Sequence, residues 1–117
     1  MKIIFTDSFK KNLIKLWSIS ENDIINLIKK YPNTTNLITI DNIESSKILK
    51  WYLYSKKVRI LILFEYIKWK FIPVSIVKKE TSKWQNIMKE NYIELFWSDI
   101  DRVIIDYDNE NYQEIEI

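Results

Sequence analysis

The spacing of apolar positions changes repeatedly along this chain, and the changes mark its elements. Lys2–Phe5 is a short run of β-formers and reads as a strand. Thr6 and Asp7 are placed to cap the helix that follows. Its Phe9, Leu13, Leu16 and Trp17 fall on one face, with Lys10, Lys11 and Lys15 largely outside it. Ser20-Glu21-Asn22-Asp23 has the form of a capping box, with Asp in the usual Glu/Gln position. Behind it, Ile24, Leu27, Ile28 and Tyr31 keep the i, i+3, i+4, i+7 stripe of a second helix. Pro32 ends that stripe, because the residue before a proline is pushed out of helical backbone. The two helices predict a hairpin turning around Ile19. Asn33–Ser46 is polar and turn-rich, with one β-leaning patch at Leu37–Ile40.

From Ile48 the period shortens to two, the repeat of a strand. Ile48–Ser55 places Leu49, Trp51 and Leu53 on one face and Ile48, Lys50, Tyr52 and Tyr54 on the other. Val58–Tyr66 sets Val58, Ile60, Ile62 and Phe64 against Arg59, Leu61, Leu63 and Glu65. Its middle is apolar on both faces, which predicts a central strand. Trp69–Val77 alternates again, with Lys70, Ile72, Val74 and Ile76 on one side. Pro73 cannot donate to a ladder, so this strand needs a free edge or a bulge there. The links at Lys56-Lys57 and Ile67-Lys68 are short enough only for antiparallel hairpins.

Lys78–Asn91 is polar, with Trp84, Ile87 and Met88 as anchors. Ile93, Phe96, Trp97, Ile100, Val103 and Ile104 then return to the helical period; this segment and its acidic tail can complete the core, make a dimer contact or fold as an acidic flap over the basic face, and the wide aromatic stripe favours core packing for the helix. Tyr112–Ile117 closes the chain as a short alternating strand. The expected fold is a single α+β domain over residues 1–117. It has an N-terminal strand, a two-helix hairpin, an antiparallel three-strand meander, and a C-terminal extension over 92–117 made of a helix and a short strand.

Composition narrows the chemistry. A chain of 117 residues can bury one core. Glycine is absent, so tight turns fall to Asn, Asp, Ser or longer loops. The absence of glycine also excludes phosphate-cradling loops of the GxGxxG and P-loop kinds. There is no cysteine and no histidine, which removes disulfides, thiolate sites, histidine triads and the usual base near neutral pH. The Asp99/Asp101 and Asp106/Asp108 pairs carry oxygens a divalent cation could use. Both read as lying on the solvated side or end of the last helix, so neither a metal nor a cofactor is expected. The opening Met1–Phe5 lacks the pattern of a signal peptide, and no apolar run approaches the roughly 18–20 residues of a membrane span. A soluble, cytoplasmic protein is expected.

Charge is unevenly distributed. Residues 1–98 hold 17 Lys/Arg against 9 Asp/Glu, a net of +8, whereas 99–117 hold one Arg and 7 acids, a net of −6. A basic body suits a polyanion. Lys50, Tyr52, Lys57, Arg59 and Lys78, with Lys79, Lys83 and Trp84 beyond them, supply cations and stacking rings on and beside the meander. RNA cleavage can proceed with such groups alone. Cations stabilise charge on the phosphate while the neighbouring ribose 2′-OH attacks it, and rings stack on unpaired bases. Equally, such lysines keep an exposed sheet soluble and such tyrosines pack beneath a helix.

Three stretches carry a family likeness. Phe5-Thr6-Asp7-Ser8-Phe9-Lys10-Lys11-Asn12-Leu13 after an opening strand, Lys57-Val58-Arg59-Ile60-Leu61-Ile62-Leu63, and Phe71-Ile72-Pro73-Val74-Ser75-Ile76-Val77-Lys78-Lys79-Glu80 resemble the RelE/HigB-like toxins of type II toxin–antitoxin systems, within the RelE/ParE superfamily. The resemblance covers about residues 1–80. It implies an endoribonuclease, a hydrolase that cuts mRNA at the ribosome, inhibits translation, and is held in check by a cognate antitoxin in a hetero-oligomer or alongside a dimer. It implies catalytic roles for Arg59 on the scissile phosphate, for Lys79 or its neighbour Lys78 on the leaving group, and for Lys50 as base or phosphate ligand. Lys57, Lys78, Tyr52, Lys83 and Trp84 would bind RNA. Tyr52 stands where RelE itself has a second strand lysine, and HigB-type members often use a histidine that this chain lacks. The alternatives are a ParE-like gyrase-inhibiting toxin and a non-enzymatic domain that binds nucleic acid or protein.

Overall fold

A computed structural model describes residues 1–16, 18–34, 37–53, 57–78 and 87–117. The strand expected at Lys2–Phe5 is β1 (Lys2–Thr6). Thr6 caps α1 (Asp7–Ile14) by accepting the Phe9 amide at 3.2 Å. Ser20 and Asp23 form both halves of the capping box that opens α2 (Glu21–Lys29). The connection after α2 holds a full strand, β2 (Leu37–Ile43), hairpinned to β3 (Ser46–Leu53). β4 (Val58–Glu65) and β5 (Lys70–Lys78) continue the meander, which therefore has four strands rather than three. α3 (Tyr92–Asp108) and β6 (Tyr112–Glu116) finish the chain. Trp17 and Tyr54–Lys56, assigned above to the first helix and to the Ile48–Ser55 strand and its turn, lie outside the described residues.

The six strands of the described residues form one mixed sheet in the order β2-β3-β4-β5-β1-β6. β1 runs parallel to β5 and antiparallel to β6. β4 is interior and apolar on both faces, as its sequence requires. One face carries α1 and α2 over Ile3, Phe5, Leu49, Trp51, Ile60 and Ile62. The other carries α3 over Ile4, Ile48, Leu61, Ile72 and Val74. At about 25 cal/mol per Å² of apolar surface, these two layers are what hold the sheet closed on both sides.

Pro73 sits at a bulge, where Leu61 pairs with Ser75 and Ile62 with Pro73, leaving Val74 as the extra residue. A one-residue slip moves every later side chain to the other face. Strict alternation would group Lys78 with Lys70 and Ile72. The bulge instead sets Ser75 and Val77 on the α3 face and Lys78 opposite Val58, on the α1/α2 face.

Glycine's role in turns is taken by unexpected residues. Glu44, Lys57, Trp69 and Glu110 have φ of 52°, 53°, 50° and 59°, the left-handed region, instead of the Asn, Asp or Ser anticipated.

α3 does complete the core, but on a rotated face. Tyr92, Phe96 and Val103 are buried, whereas Ile93, Trp97 and Ile104 from the expected stripe remain 58%, 65% and 51% exposed. No helix among the described residues is long and apolar enough to cross a membrane.

Candidate functional site

β3 and β4 place the predicted side chains by register alone. Tyr52 lies directly opposite Arg59, and Lys50 opposite Leu61, so all three project from the α3 face near the end of the sheet where β4 begins. Arg59 is only 9% exposed, and its guanidinium carbon stands 5.1 Å from the centre of the Tyr52 ring. A desolvated cation–ring contact of this kind is worth about 2 kcal/mol. Lys50 Nζ donates to the Ile87 carbonyl at 3.0 Å. Burial, and then repulsion from the Arg59 guanidinium, holds the Lys50 ammonium below its usual pKa. A lysine in that state surrenders its proton more readily than an exposed one.

The remaining predicted residues divide. Lys57 is exposed in the turn before Val58, and Lys78 is exposed across from Val58 at the end of β5. Both stand at the same end of the sheet as Arg59. Lys78 does not converge with Lys50 and Arg59 on one face, because the Pro73 bulge reverses its direction. Lys79, Lys83 and Trp84 lie outside the described residues.

Sequence reasoning missed a polar cluster beside this group. Ser75, 1% exposed, donates its hydroxyl to Asp99 Oδ2 at 2.6 Å, and Asn12 Nδ2 reaches Asp99 Oδ1 at 3.4 Å. Asp106 accepts from the amide and hydroxyl of Ser8 at 2.8 and 2.6 Å. Asp99 and Asp106 thus tie α3 to α1 and β5, a correction to their placement on a solvated surface. The aspartate pairs are split, since Asp101 and Asp108 point outward. Among the described residues no group of three or more carboxylates could hold a metal ion.

The acidic tail does not reach the cationic group. β6 occupies the sheet edge beyond β1, where Glu114 meets Lys2 and Glu116 meets the N-terminal amine, both at 3.7 Å. Its carboxylates meet cations at the β1 edge, across the sheet from β3. Lys50 and Arg59 thus set two cations, and Tyr52 a partly exposed ring, side by side on one face of the sheet.

The chain matches no known protein-family model, no curated protein and no solved structure.

Proposed function

We propose that this chain is a metal-independent endoribonuclease of the RelE-like toxin type, cutting mRNA at the ribosome and restrained by a partner antitoxin. The observation that carries the reading is the convergence of Lys50, Tyr52 and Arg59 on one face of the antiparallel meander. The reaction needs little from the protein. Lys50 in its uncharged form takes the 2′-OH proton, and the freed oxygen attacks the adjacent phosphorus. Arg59 stabilises the charge that develops on the phosphate oxygens. The P–O5′ bond breaks, leaving a 2′,3′-cyclic phosphate and a 5′-oxygen that takes up a proton. Lys79 is the sequence's candidate donor for that proton. Tyr52 stacks on an unpaired base, and Lys57 and Lys78 draw the RNA backbone to this end of the sheet.

The test is induced expression of the chain with growth and transcript 5′ ends followed together. Growth arrest with truncated mRNA is expected. Lys50→Met and Arg59→Ala should each reduce cleavage by about 100-fold or more, with circular dichroism confirming that both variants fold. Arrest of replication with intact mRNA would instead select a gyrase-binding activity. Absence of any arrest would sink the toxin reading.

A further inference from the structure

β1 pairs with β5 at Lys70 and Phe71, and its chain then turns into α1. Past that point β5 meets α1 and α3. Where the three come together lies a cleft of about 360 Å³, lined by Asn12 and Lys15 toward the end of α1, Val77 and Lys78 of β5, and Asp99 of α3. That volume falls within the roughly 300–1,000 Å³ of small-molecule sites.

The lining carries both signs of charge. Lys15 and Lys78 are exposed ammonium groups, a type that binds phosphate. Asp99 is half-buried, and an ionised carboxylate can only accept. Its Oδ2 takes the Ser75 hydroxyl at 2.6 Å and its Oδ1 the Asn12 amide at 3.4 Å. Ser75 is 1% exposed, so a buried donor fixes the carboxylate. A carboxylate offers about four acceptor sites, which leaves about two for a ligand. Leu16 and Ile76 add apolar wall. A simple anion would meet Asp99, and a simple cation would meet the two lysines. A nucleotide answers both, with its phosphate toward the lysines and a donor-bearing base edge toward the carboxylate.

The acceptor-only carboxylate selects among the bases. Guanine sets two neighbouring donors, N1–H and the N2 amine, on its pairing edge. Adenine and cytosine each present an amine beside an acceptor nitrogen, and uracil one N–H between two carbonyls, so each turns a lone pair toward Asp99. The position of the cleft matters as well. Val77 is the cross-strand partner of Arg59 on β5, as Tyr52 is on β3. One strand spacing, about 4.8 Å, separates each from Arg59. A phosphate at Arg59 would have the Tyr52 ring on one side and the cleft on the other.

We infer that this cleft binds the guanine base of a nucleotide next to the scissile phosphate, through Asp99, with Lys15 and Lys78 on that nucleotide's own phosphate. The place of the nucleotide in the substrate rests on the ribonuclease reading; the recognition of guanine does not.

The test titrates the full chain with guanosine, inosine, adenosine, cytidine and uridine 5′-monophosphates, following the amide resonances of Ser75–Lys78. The guanosine nucleotide should move them and bind at least about tenfold more tightly than the others, inosine included, because it lacks the N2 amine. Asp99→Asn places an amide where the carboxylate was and should erase the preference, with circular dichroism confirming the fold. Lys15→Ala, at an exposed position, should weaken all five nucleotides alike. Equal binding of the five, no binding, or a preference unchanged by Asp99→Asn would overturn the inference. In cells, transcript ends should show guanine at one fixed position beside the cut, and cuts without that bias would also overturn it. Selective binding of the guanosine nucleotide by a chain that cuts no RNA would instead overturn the ribonuclease reading and leave the guanine site standing.

Discussion

Replacing Tyr92 with Phe removes one oxygen from the contact between α3 and the β2–β3 hairpin. Tyr92 is 2% exposed, and its hydroxyl donates to Asp41 Oδ2 at 2.8 Å. The Asp41 carboxylate is 14% exposed, and among the described residues it keeps the Asn42 amide at 2.8 Å and the Lys89 ammonium at 4.0 Å once the hydroxyl is gone. The ring remains, so packing is unchanged and the loss is that of a hydrogen bond to a charged acceptor, about 1.5–3 kcal/mol. Burial, followed by the bond to and the charge of Asp41, pushes the Tyr92 pKa from 10.0 up to about 12. The folded state therefore holds this proton more tightly than the unfolded chain. Its contribution is complete below pH 10 and drains away at about 1.4 kcal/mol per pH unit as the pH rises toward 12. Urea unfolding of the wild type and Tyr92→Phe, followed by far-UV circular dichroism at pH 8 and pH 11, measures both quantities. The variant should be less stable by about 1.5–3 kcal/mol at pH 8, and the gap should narrow by more than about 1 kcal/mol at pH 11. A gap under about 0.5 kcal/mol at pH 8, or one independent of pH, would refute the clasp.

Lys50 titrates with the opposite sign. Its folded pKa lies below the ordinary 10.5, so the unfolded chain binds its proton first as pH falls, and wild-type stability relative to Lys50→Met should rise as pH climbs toward 10.5. A flat difference from pH 8 to 10.5 in the same unfolding assay would place Lys50 in water. Glu110 holds φ at 59° with its side chain exposed, a backbone cost of about 1–2 kcal/mol for a residue with a Cβ. Glu110→Gly relieves that cost, and after the extra chain entropy of glycine it should gain up to about 1 kcal/mol. A destabilised variant in thermal melts would show the side chain to be worth more than the strain.

The elements whose signals are local were legible in the sequence. Ser20 and Asp23 announce a capping box and form one. The two apolar faces of Val58–Phe64 demand an interior strand, and β4 is one. Pro73 required a bulge or a free edge, and the strand has the bulge, while the β1 ladder on β5's other side pairs Lys70 and Phe71. What stayed hidden depends on distant partners. Leu37–Ile43 contains Asp41 and Asn42, poor strand formers, and becomes a strand only because β3 offers a ladder and Tyr92 and Lys89 satisfy Asp41. Asp99 and Asp106 look like surface acids until α1 and β5 supply their donors. Lys78's direction turned on a single residue of slip. Within the candidate site, Lys50, Tyr52 and Arg59 were readable because strict alternation holds on β3 and β4.

The place of β1 in the sheet has a consequence for how the chain is made. Its neighbours β5 and β6 come from the second half of the sequence, at Lys70–Lys78 and Tyr112–Glu116. During synthesis Ile3, Ile4 and Phe5, which end wholly buried, emerge first and wait longest for a ladder. The meander β2–β5 can assemble from adjacent hairpins without them. A chain halted before β6 would leave β1 as an open edge of apolar residues, the arrangement most prone to pairing with another unfinished copy.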